Sequence, residues 1–339
     1  MKSTTETELT EQEAELYDRQ IRLWGLESQK RLRSARILIA GLNGCGAEVA
    51  KNIILTGVKS VTLLDDKLVT ENDFCSQFLV PQTAVGKNRA EASEKRAQAL
   101  NPMVEVKVDI GNFADRSDEY FRDFDVVCIG EGKTADLVRV DKVCRAANVK
   151  FFAFDLWGMF GYCFADLKEH EFSMEVMKHA VVSDPNNKGQ KPKTELVAHN
   201  TMQKQSYCSL SDSLSVPLAK YISPRHLKRV GNGYPMLKIM QRFRDDYGRD
   251  PQPSSRQEDL VKLLEIRDLL APNVISDEAF EHVFAQISPA AAVVGGQVAQ
   301  EIIKTVSQKE APLHNVFLFD PEKSCGYIEL IEPPTVVLE

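Results

Sequence analysis

Residues 36–55 read RILIAGLNGCGAEVAKNIIL, and this stretch decides the fold. Ile37–Ala40 is a short, continuous apolar run, which is typical of a strand buried on both faces of a parallel sheet. A glycine cluster follows, and then Val49, Ile53 and Ile54 recur at helical spacing. A strand, a tight glycine turn and a helix in this order predict the opening of a nucleotide-binding βαβ unit.

The glycine turn departs from the pattern with which such units bind a pyrophosphate. The pattern G-x-G-x-x-G has three marked glycines, whereas this chain has Gly41, Asn43 and Gly46, with Gly44 beside them. The middle glycine lets the backbone approach the phosphates, so Asn43 places a side chain in their way. Asp65 ends the next strand, where an acid in such folds reaches a ribose hydroxyl. We therefore favour a turn that only packs helix on sheet over a working nucleotide site.

The rest of the chain extends this unit. Strand and helix patterns alternate regularly as far as residue 155, which predicts an α/β fold with a doubly wound, Rossmann-like, mostly parallel sheet. Two glycines among aromatic residues at 157–167 predict an antiparallel hairpin on the far edge of that sheet. Amphipathic helical patterns dominate later, and an apolar pattern from Ser288 onward returns the chain to the sheet.

These patterns divide the chain into a discontinuous sheet domain and an insertion. We expect a disordered tail over 1–12, because these residues are polar and acidic. The sheet domain takes 13–165 and 286–339. A helical insertion occupies 166–285, with a polar loop near 183–206 that proline, glycine and lysine residues punctuate.

Composition excludes several classes of protein. The 42 basic and 49 acidic residues give a net charge of −7, which argues against a general nucleic-acid or membrane-surface binder. The sequence has no apolar run long enough to span a membrane and no apolar N-terminal segment, so we expect neither a span nor a signal peptide. Its 7 cysteines are scattered without a C-x-x-C pair, which predicts reduced thiols in an intracellular protein, with no disulfide framework and no cysteine-rich zinc site.

Six motifs occur in a characteristic order along nearly the whole chain. They are YDRQIRLWG (17–25), GLNGCGAE (41–48), LDD (64–66), QFL (77–79), VGKNRA (85–90) and AVVGGQVAQEI (292–302). Together they resemble the adenylation domain of the ubiquitin-like-modifier activating enzymes and their bacterial adenylyltransferase relatives. Within that family the chain is most similar to the smaller subunits of the heterodimeric SUMO-activating enzymes.

The resemblance implies an adenylation core built from two such domains, one active and one inactive. The active half binds ATP and magnesium, and the carboxylate of the modifier, here SUMO, attacks the α-phosphate. A cysteine of the active partner then takes the modifier as a thioester. The resemblance further implies an obligate heterodimer with that thioester-forming subunit, and a nuclear location with the cytoplasm as a second one.

Departures from the family pattern assign this chain to the inactive half. Ser76 stands where active halves carry a phosphate-binding arginine, and Asp73 replaces an asparagine of the same stretch. Arg89 replaces a lysine, and only Glu131 lies near the position of the magnesium-binding aspartate. Asn43 replaces the phosphate-facing glycine, and the zinc cysteines of the family are absent. We therefore expect no cofactor and no metal in this chain, with ATP and magnesium in the partner.

One group remains that an inactive half can lend. In this family the arginine of the YDRQ motif reaches across the dimer into the ATP site of the partner, and Arg19 matches it. A guanidinium can donate two parallel hydrogen bonds to the charge that develops on phosphate oxygens. The alternative is a helix-surface ion pair of Arg19 with Asp18 or Glu15, which would contribute little. With the motif in place we favour the role in trans.

The residues around Arg19 complete the predicted contact with the partner. We expect Tyr17, Gln20, Arg22, Leu23 and Trp24 at the interface rather than in the chemistry.

The sequence leaves three other functions open. An independent adenylyltransferase with altered ligands would bind ATP by itself, and a nicotinamide-dependent oxidoreductase would retain its cofactor. A pure scaffold would make no catalytic contribution. Cys208 lies in the insertion, but no neighbouring histidine or basic residue lowers its pKa, so we interpret it as structural or incidental.

Overall fold

The computed structural model has one mixed sheet with helices on both faces and a separate two-stranded ribbon. It describes residues 9–182, 193–229, 231–320, 323 and 325–334. The helices of this part are α1 (Glu11–Leu16), α2 (Asp18–Trp24), α3 (Leu26–Ser34), α4 (Gly44–Leu55), α5 (Arg89–Leu100), α6 (Asp118–Phe121), α7 (Thr134–Ala147), α8 (Leu210–Ser215), α9 (Pro224–Arg229), α10 (Gly233–Tyr247), α11 (Arg256–Leu270) and α12 (Ser288–Ser307). The strands are β1 (Arg36–Ala40), β2 (Ser60–Leu64), β3 (Glu105–Asp109), β4 (Val126–Gly130), β5 (Lys150–Trp157), β6 (Phe160–Asp166), β7 (Glu169–Val182), β8 (Lys193–Ser206), β9 (Val316–Asp320) and β10 (Cys325–Glu329).

The strand order confirms the predicted doubly wound fold. The sheet runs β10-β9-β6-β5-β4-β1-β2-β3, and the five strands from β5 to β3 are parallel. The chain moves outward from β1 in one direction through β2 and β3, and in the other through β4 and β5. The switch point between β1 and β4 leaves a crevice at the carboxyl ends of these strands, where such sheets bind their ligands.

Strand β1 shows why its sequence is apolar throughout. Ile37 and Ile39 face a core that α4, α5 and α12 cover, whereas Leu38 and Ala40 face the core under α7 and α10. Successive side chains of a strand point to opposite faces, so a strand covered on both sides has no polar alternation.

The antiparallel part of the sheet differs from the prediction in one respect. β5 and β6 form the expected hairpin, but β9 pairs with β6 and β10 pairs with β9. The hairpin is therefore not on the far edge, because the returning strands extend the sheet by two.

The insertion is less helical than we predicted. β7 and β8 pair in antiparallel register over fourteen residues each, from Glu169↔Ser206 to Val182↔Lys193. The prediction of a polar loop near 183–206 is thus wrong for 193–206, and 183–192 lie outside the described residues. The polar composition of 193–206 hid a strand that pairs with β7 along its whole length.

The structure bears on the predicted N-terminal tail and on the boundaries of the predicted insertion. Of the predicted tail, 1–8 lie outside the described residues, and its end belongs to α1, which Thr10 and Glu13 start with a capping box. Helices α10 and α11 share one hydrophobic core with the sheet, and the boundaries at 166 and 285 stay a prediction. No helix in the described ranges is long and apolar enough to cross a membrane.

Candidate functional site: a charged cleft and an exposed arginine

The crevice at the switch point forms two adjoining clefts. One, of about 390 Å³, is lined by the strand ends at Gly41, Asp65 and Gly130. The other, of about 420 Å³, is lined by Asn43 and Arg89 among others. This is where a doubly wound sheet places a nucleotide, so the positions singled out in the sequence meet here.

The glycine turn serves helix packing. Gly41 has φ +84°, which suits glycine, and a Cβ there would lie 2.8 Å from Gly130 O. A Cβ on Gly46 would overlap the carbonyl of Gly41. Asn43 is the N-cap of α4, and its Oδ1 accepts a hydrogen bond from Gly46 N at 2.9 Å. The side chain therefore satisfies one of the free N–H groups that a phosphate would otherwise approach.

Two further side chains close the same helix end. A Cβ on Gly44 would overlap the hydroxyl of Ser76, so the residue that replaces the family's arginine packs directly on the turn. Cys45 N donates to Gln286 Oε1 at 3.4 Å. Three of the groups around the first turn of α4 are thus engaged by the chain itself.

Arg89 is the centre of a buried ion network in the cleft. Its guanidinium lies 2.7 Å from Asp65 Oδ2 and 3.2 Å from Asp73 Oδ1, and it also bonds to Glu131. Lys67 approaches Glu131 at 2.9 Å. Asp73, Arg89 and Glu131 are the charged residues that depart from the family pattern, and Arg89 thus bonds to both of the others.

Electrostatics explain why this network remains charged. Burial raises the pKa of Glu131, but Arg89 and Lys67 outweigh it and hold that pKa well below its ordinary range. Burial lowers the pKa of Arg89, and Glu131, Asp65 and Asp73 raise it further than burial lowers it. Burial raises the pKa of Asp65, and Arg89 and the hydrogen bond from Leu42 N at 2.6 Å offset part of that rise.

The residues present do not fit a magnesium nucleotide. The ribose position is held by Arg89, the phosphate position by Asn43 and Ser76, and the position near the metal by a paired Glu131. Among the described residues, no group of three or more metal-binding side chains is arranged to hold a metal ion.

Arg19 lies on α2, away from this cleft, and its side chain is exposed. The predicted alternative, an ion pair with Asp18 or Glu15, does not form. Asp18 pairs instead with Arg22, at 3.0 Å. Within the described ranges Arg19 has no hydrogen bond and no ion pair, so its guanidinium is available to a partner.

The five residues predicted at an interface have different environments. Leu23 is 75% exposed, and Arg22 is also exposed. Gln20 and Trp24 are half-buried. Tyr17 corrects our prediction, because it is 2% exposed and packs on Gly57 inside this chain.

Sequence reasoning missed two buried amides near Arg19. Asn101 donates to Tyr17 Oη at 2.9 Å, and Gln29 accepts from Trp24 Nε1 at 3.1 Å. The Asn101-Pro102 pair suggested only a helix end, and Gln29 lies in a polar helix without any motif. Only the burial of these polar side chains identifies them.

Cys208 is held inside the fold. Asn315 Nδ2 lies 3.2 Å from its sulfur, and burial raises the pKa of the thiol to about 12. A thiol with so high a pKa is a poor nucleophile at neutral pH, in agreement with a structural role.

Comparison with solved structures supports the fold. A crystal structure of selenomethionine PaaA matches with a TM-score of 0.56 at 13% identity, covering 98% of this chain and 78% of that one. Escherichia coli MccB with succinimide matches with a TM-score of 0.56 at 13% identity, covering 95% of this chain and 73% of that one. At such identities the likeness concerns the fold alone.

Sequence relatives are much closer. SUMO-activating enzyme subunit 1 of Xenopus tropicalis is 43% identical over 96% of this chain and 98% of that protein. The Homo sapiens protein of the same name is 43% identical over 96% and 97%, and that of Danio rerio is 44% identical over 96% of each. The model described as the ThiF family matches residues 17–330. These findings confirm the resemblance that the motifs indicated: the chain belongs to the ThiF family and is similar to SUMO-activating enzyme subunit 1.

Proposed function

We propose that this chain is the non-thioester-forming, regulatory subunit of a heterodimeric SUMO-activating enzyme. It pairs with a catalytic subunit that adenylates the C-terminus of SUMO and takes it as a thioester. In that complex Arg19 projects into the ATP site of the partner. The observation that carries the proposal is an exposed guanidinium without any partner in the described part of the chain, in a motif shared with the family.

The chemistry suits an arginine supplied in trans. Negative charge develops on the oxygens of the α-phosphate as the modifier's carboxylate attacks it. A guanidinium donates paired hydrogen bonds to such oxygens, and its charge is permanent. Removing one preorganised donor from a centre of this kind costs about 10²–10³ in rate.

The surface around Arg19 supports a stable complex. The helices α1 to α3 and the end of α4 expose four leucines, Leu16, Leu23, Leu26 and Leu55. Exposed apolar groups gathered in one region mark protein interaction sites. Obligate pairs of this kind bury more than about 2,000 Å², with an apolar centre.

We further propose that nucleotide binds only to the partner. The support is the paired Arg89 network and the Asn43 cap, which use the groups a nucleotide would need. Titration calorimetry of the heterodimer with Mg·ATP should give one site per heterodimer. Two sites would show that this half also binds nucleotide and would overturn this proposal.

Arg19→Ala tests the proposal. The heterodimer should form normally, and ATP–pyrophosphate exchange in the presence of SUMO should slow by about 10² or more. Arg122→Ala is the matched control, because Arg122 is an exposed arginine on the other side of the sheet and pairs with the exposed Glu119. An unchanged exchange rate in Arg19→Ala would reduce the chain to a scaffold.

The identity of the modifier needs a separate assay. The heterodimer should form a thioester with SUMO and not with ubiquitin or other related modifiers. The support for SUMO is the name of the sequence relatives. We also propose a nuclear location, with the cytoplasm as a second one, which fluorescence of the tagged chain in cells can test.

A further inference from the structure

Three consecutive carbonyls at the end of α4 each accept a hydrogen bond from a side-chain amide. The bonds are Asn101 Nδ2 to Ile54 O at 3.0 Å, Gln20 Nε2 to Leu55 O at 3.1 Å and Gln29 Nε2 to Thr56 O at 2.8 Å. We call Gln20, Gln29 and Asn101 the amide clamp. The last carbonyls of a helix lack partners within the helix and carry partial negative charge, so neutral donors suit them well.

The amide clamp also holds both ends of α2. At its start, Tyr17 Oη accepts from Asn101 at 2.9 Å. At its end, Trp24 Nε1 donates to Gln29 Oε1 at 3.1 Å. Gln20 lies between them, on α2 itself. The helix is therefore attached to the end of α4 at its beginning, middle and end.

Such attachment matters because α2 has 7 residues. A helix this short has little stability without tertiary contacts. Gln29 is fully buried and Asn101 nearly so, which makes their hydrogen bonds hard to replace by water. The clamp therefore stabilises α2 as a helix and sets its direction.

Arg19 is the residue before Gln20 in this helix and has no attachment of its own in the described chain. Its Cα position and direction follow from those of α2. We propose that Gln20, Gln29 and Asn101 are positioning residues that aim the Arg19 guanidinium, an inference that rests on the role proposed for Arg19. They touch neither substrate nor nucleotide.

A double-mutant cycle in the assembled heterodimer tests this inference. Gln29→Leu keeps the volume of the side chain and removes both hydrogen bonds. We expect ATP–pyrophosphate exchange to slow by about 10-fold or more, since small displacements of a catalytic group cost up to about 10² in rate. In the Arg19→Ala background the same substitution should change nothing further, because no guanidinium is left to aim.

A second variant protects the test against misfolding. Gln20→Leu removes one exposed hydrogen bond and should give the same pattern with a smaller effect. Gln241→Leu is the control, since Gln241 is a buried amide on α10 that bonds to Tyr162, far from α2. It should leave exchange unchanged in both backgrounds.

Each result has one meaning. Slowing by the clamp variants only where Arg19 is present supports the inference. Equal slowing in both backgrounds would show a general structural role and overturn it. No slowing, with Arg19→Ala itself slow, would overturn the clamp and leave the proposed function intact. An Arg19→Ala heterodimer of normal rate would overturn the proposed function instead.

Discussion

The guanidinium of Arg89 lies 2.7 Å from the carboxylate of Asp65, and both side chains are buried where a Rossmann-type fold binds a ribose. The same guanidinium bonds to Asp73 and Glu131. Substituted residues of a catalytic site usually drift independently, but these contact one another. We therefore expect this buried network to contribute to the stability of the fold.

Replacing Arg89 should therefore destabilise the chain strongly. Arg89→Ala leaves Asp65 buried without its cation and Glu131 with Lys67 as its remaining cation, and breaking a buried pair costs about 3–5 kcal/mol. Denaturant unfolding of the purified chain measures this change. Arg242→Ala removes an exposed i,i+4 pair with Asp246 and should have no measurable effect. Equal midpoints for the two variants would mean that the Arg89 network contributes nothing.

The exposed face of α2 should bind the partner. Leu23→Glu keeps a good helix former on an exposed position, so the fold should be unaffected, whereas a charge in an apolar interface should weaken the heterodimer by about 10-fold or more. Sedimentation velocity of the complex measures the affinity. Leu269→Glu is the matched control, because Leu269 is 71% exposed on α11. If both variants associate like the wild type, the interface lies elsewhere.

A buried carboxyl group should make stability depend on pH. Burial, and next the neighbouring Asp166, raise the pKa of Asp141 to about 8, and its Oδ2 accepts from Leu210 N at 2.8 Å. Since an unfolded aspartate has a pKa of about 3.9, the native form holds the extra proton between about pH 4 and 8. The contribution of Asp141 to stability is therefore greatest below that window and falls as the pH rises through it.

Asp141→Asn removes the titrating group and keeps the acceptor for Leu210 N. The free energy of unfolding of the variant, relative to wild type, should rise with pH by up to about 1.4 kcal/mol per unit between about pH 4 and 8. Denaturant unfolding at four pH values measures both curves. Asp123→Asn, an exposed aspartate, is the control. Parallel curves for wild type and Asp141→Asn would contradict the prediction.

Two adjacent glycines of α12 should respond in opposite ways to the same change. A Cβ on Gly295 would lie 2.6 Å from Glu48 Cβ and 2.8 Å from Cys45 O, so Gly295→Ala forces α12 away from α4. Such overpacking costs about 1–3 kcal/mol. Gly296 has nothing within 4 Å of its Cβ position, so Gly296→Ala should stabilise the helix by about 0.5–1 kcal/mol. Thermal unfolding of the purified chain distinguishes the two, and a shift of the same sign in both would refute this packing argument.

At Gly295 the sequence predicts a close backbone approach correctly, but not the element that it approaches. The glycine pair predicts a close backbone approach to the sheet or to another subunit. In the structure Gly295 packs closely against α4 instead. The stretch 193–206, in contrast, has no apolar alternation and predicts a loop, whereas the structure pairs it with β7. Tyr17 was placed at an interface by its motif alone, although its hydroxyl pairs with Asn101 inside the chain.

The sequence by itself determined the doubly wound sheet, the family and the loss of the phosphate-facing glycine, because strand periodicity and motifs depend on neighbours along the chain. Only the tertiary structure decided which charges pair and which remain free. Asp65, Asp73, Arg89 and Glu131 are far apart in sequence and meet because the strand order brings the carboxyl ends of β2 and β4 to one edge beside β1. Within the described chain Arg19 has no ion pair: Asp18 is adjacent to it on α2 and does not face it, and Asp18 pairs with Arg22 one turn further on.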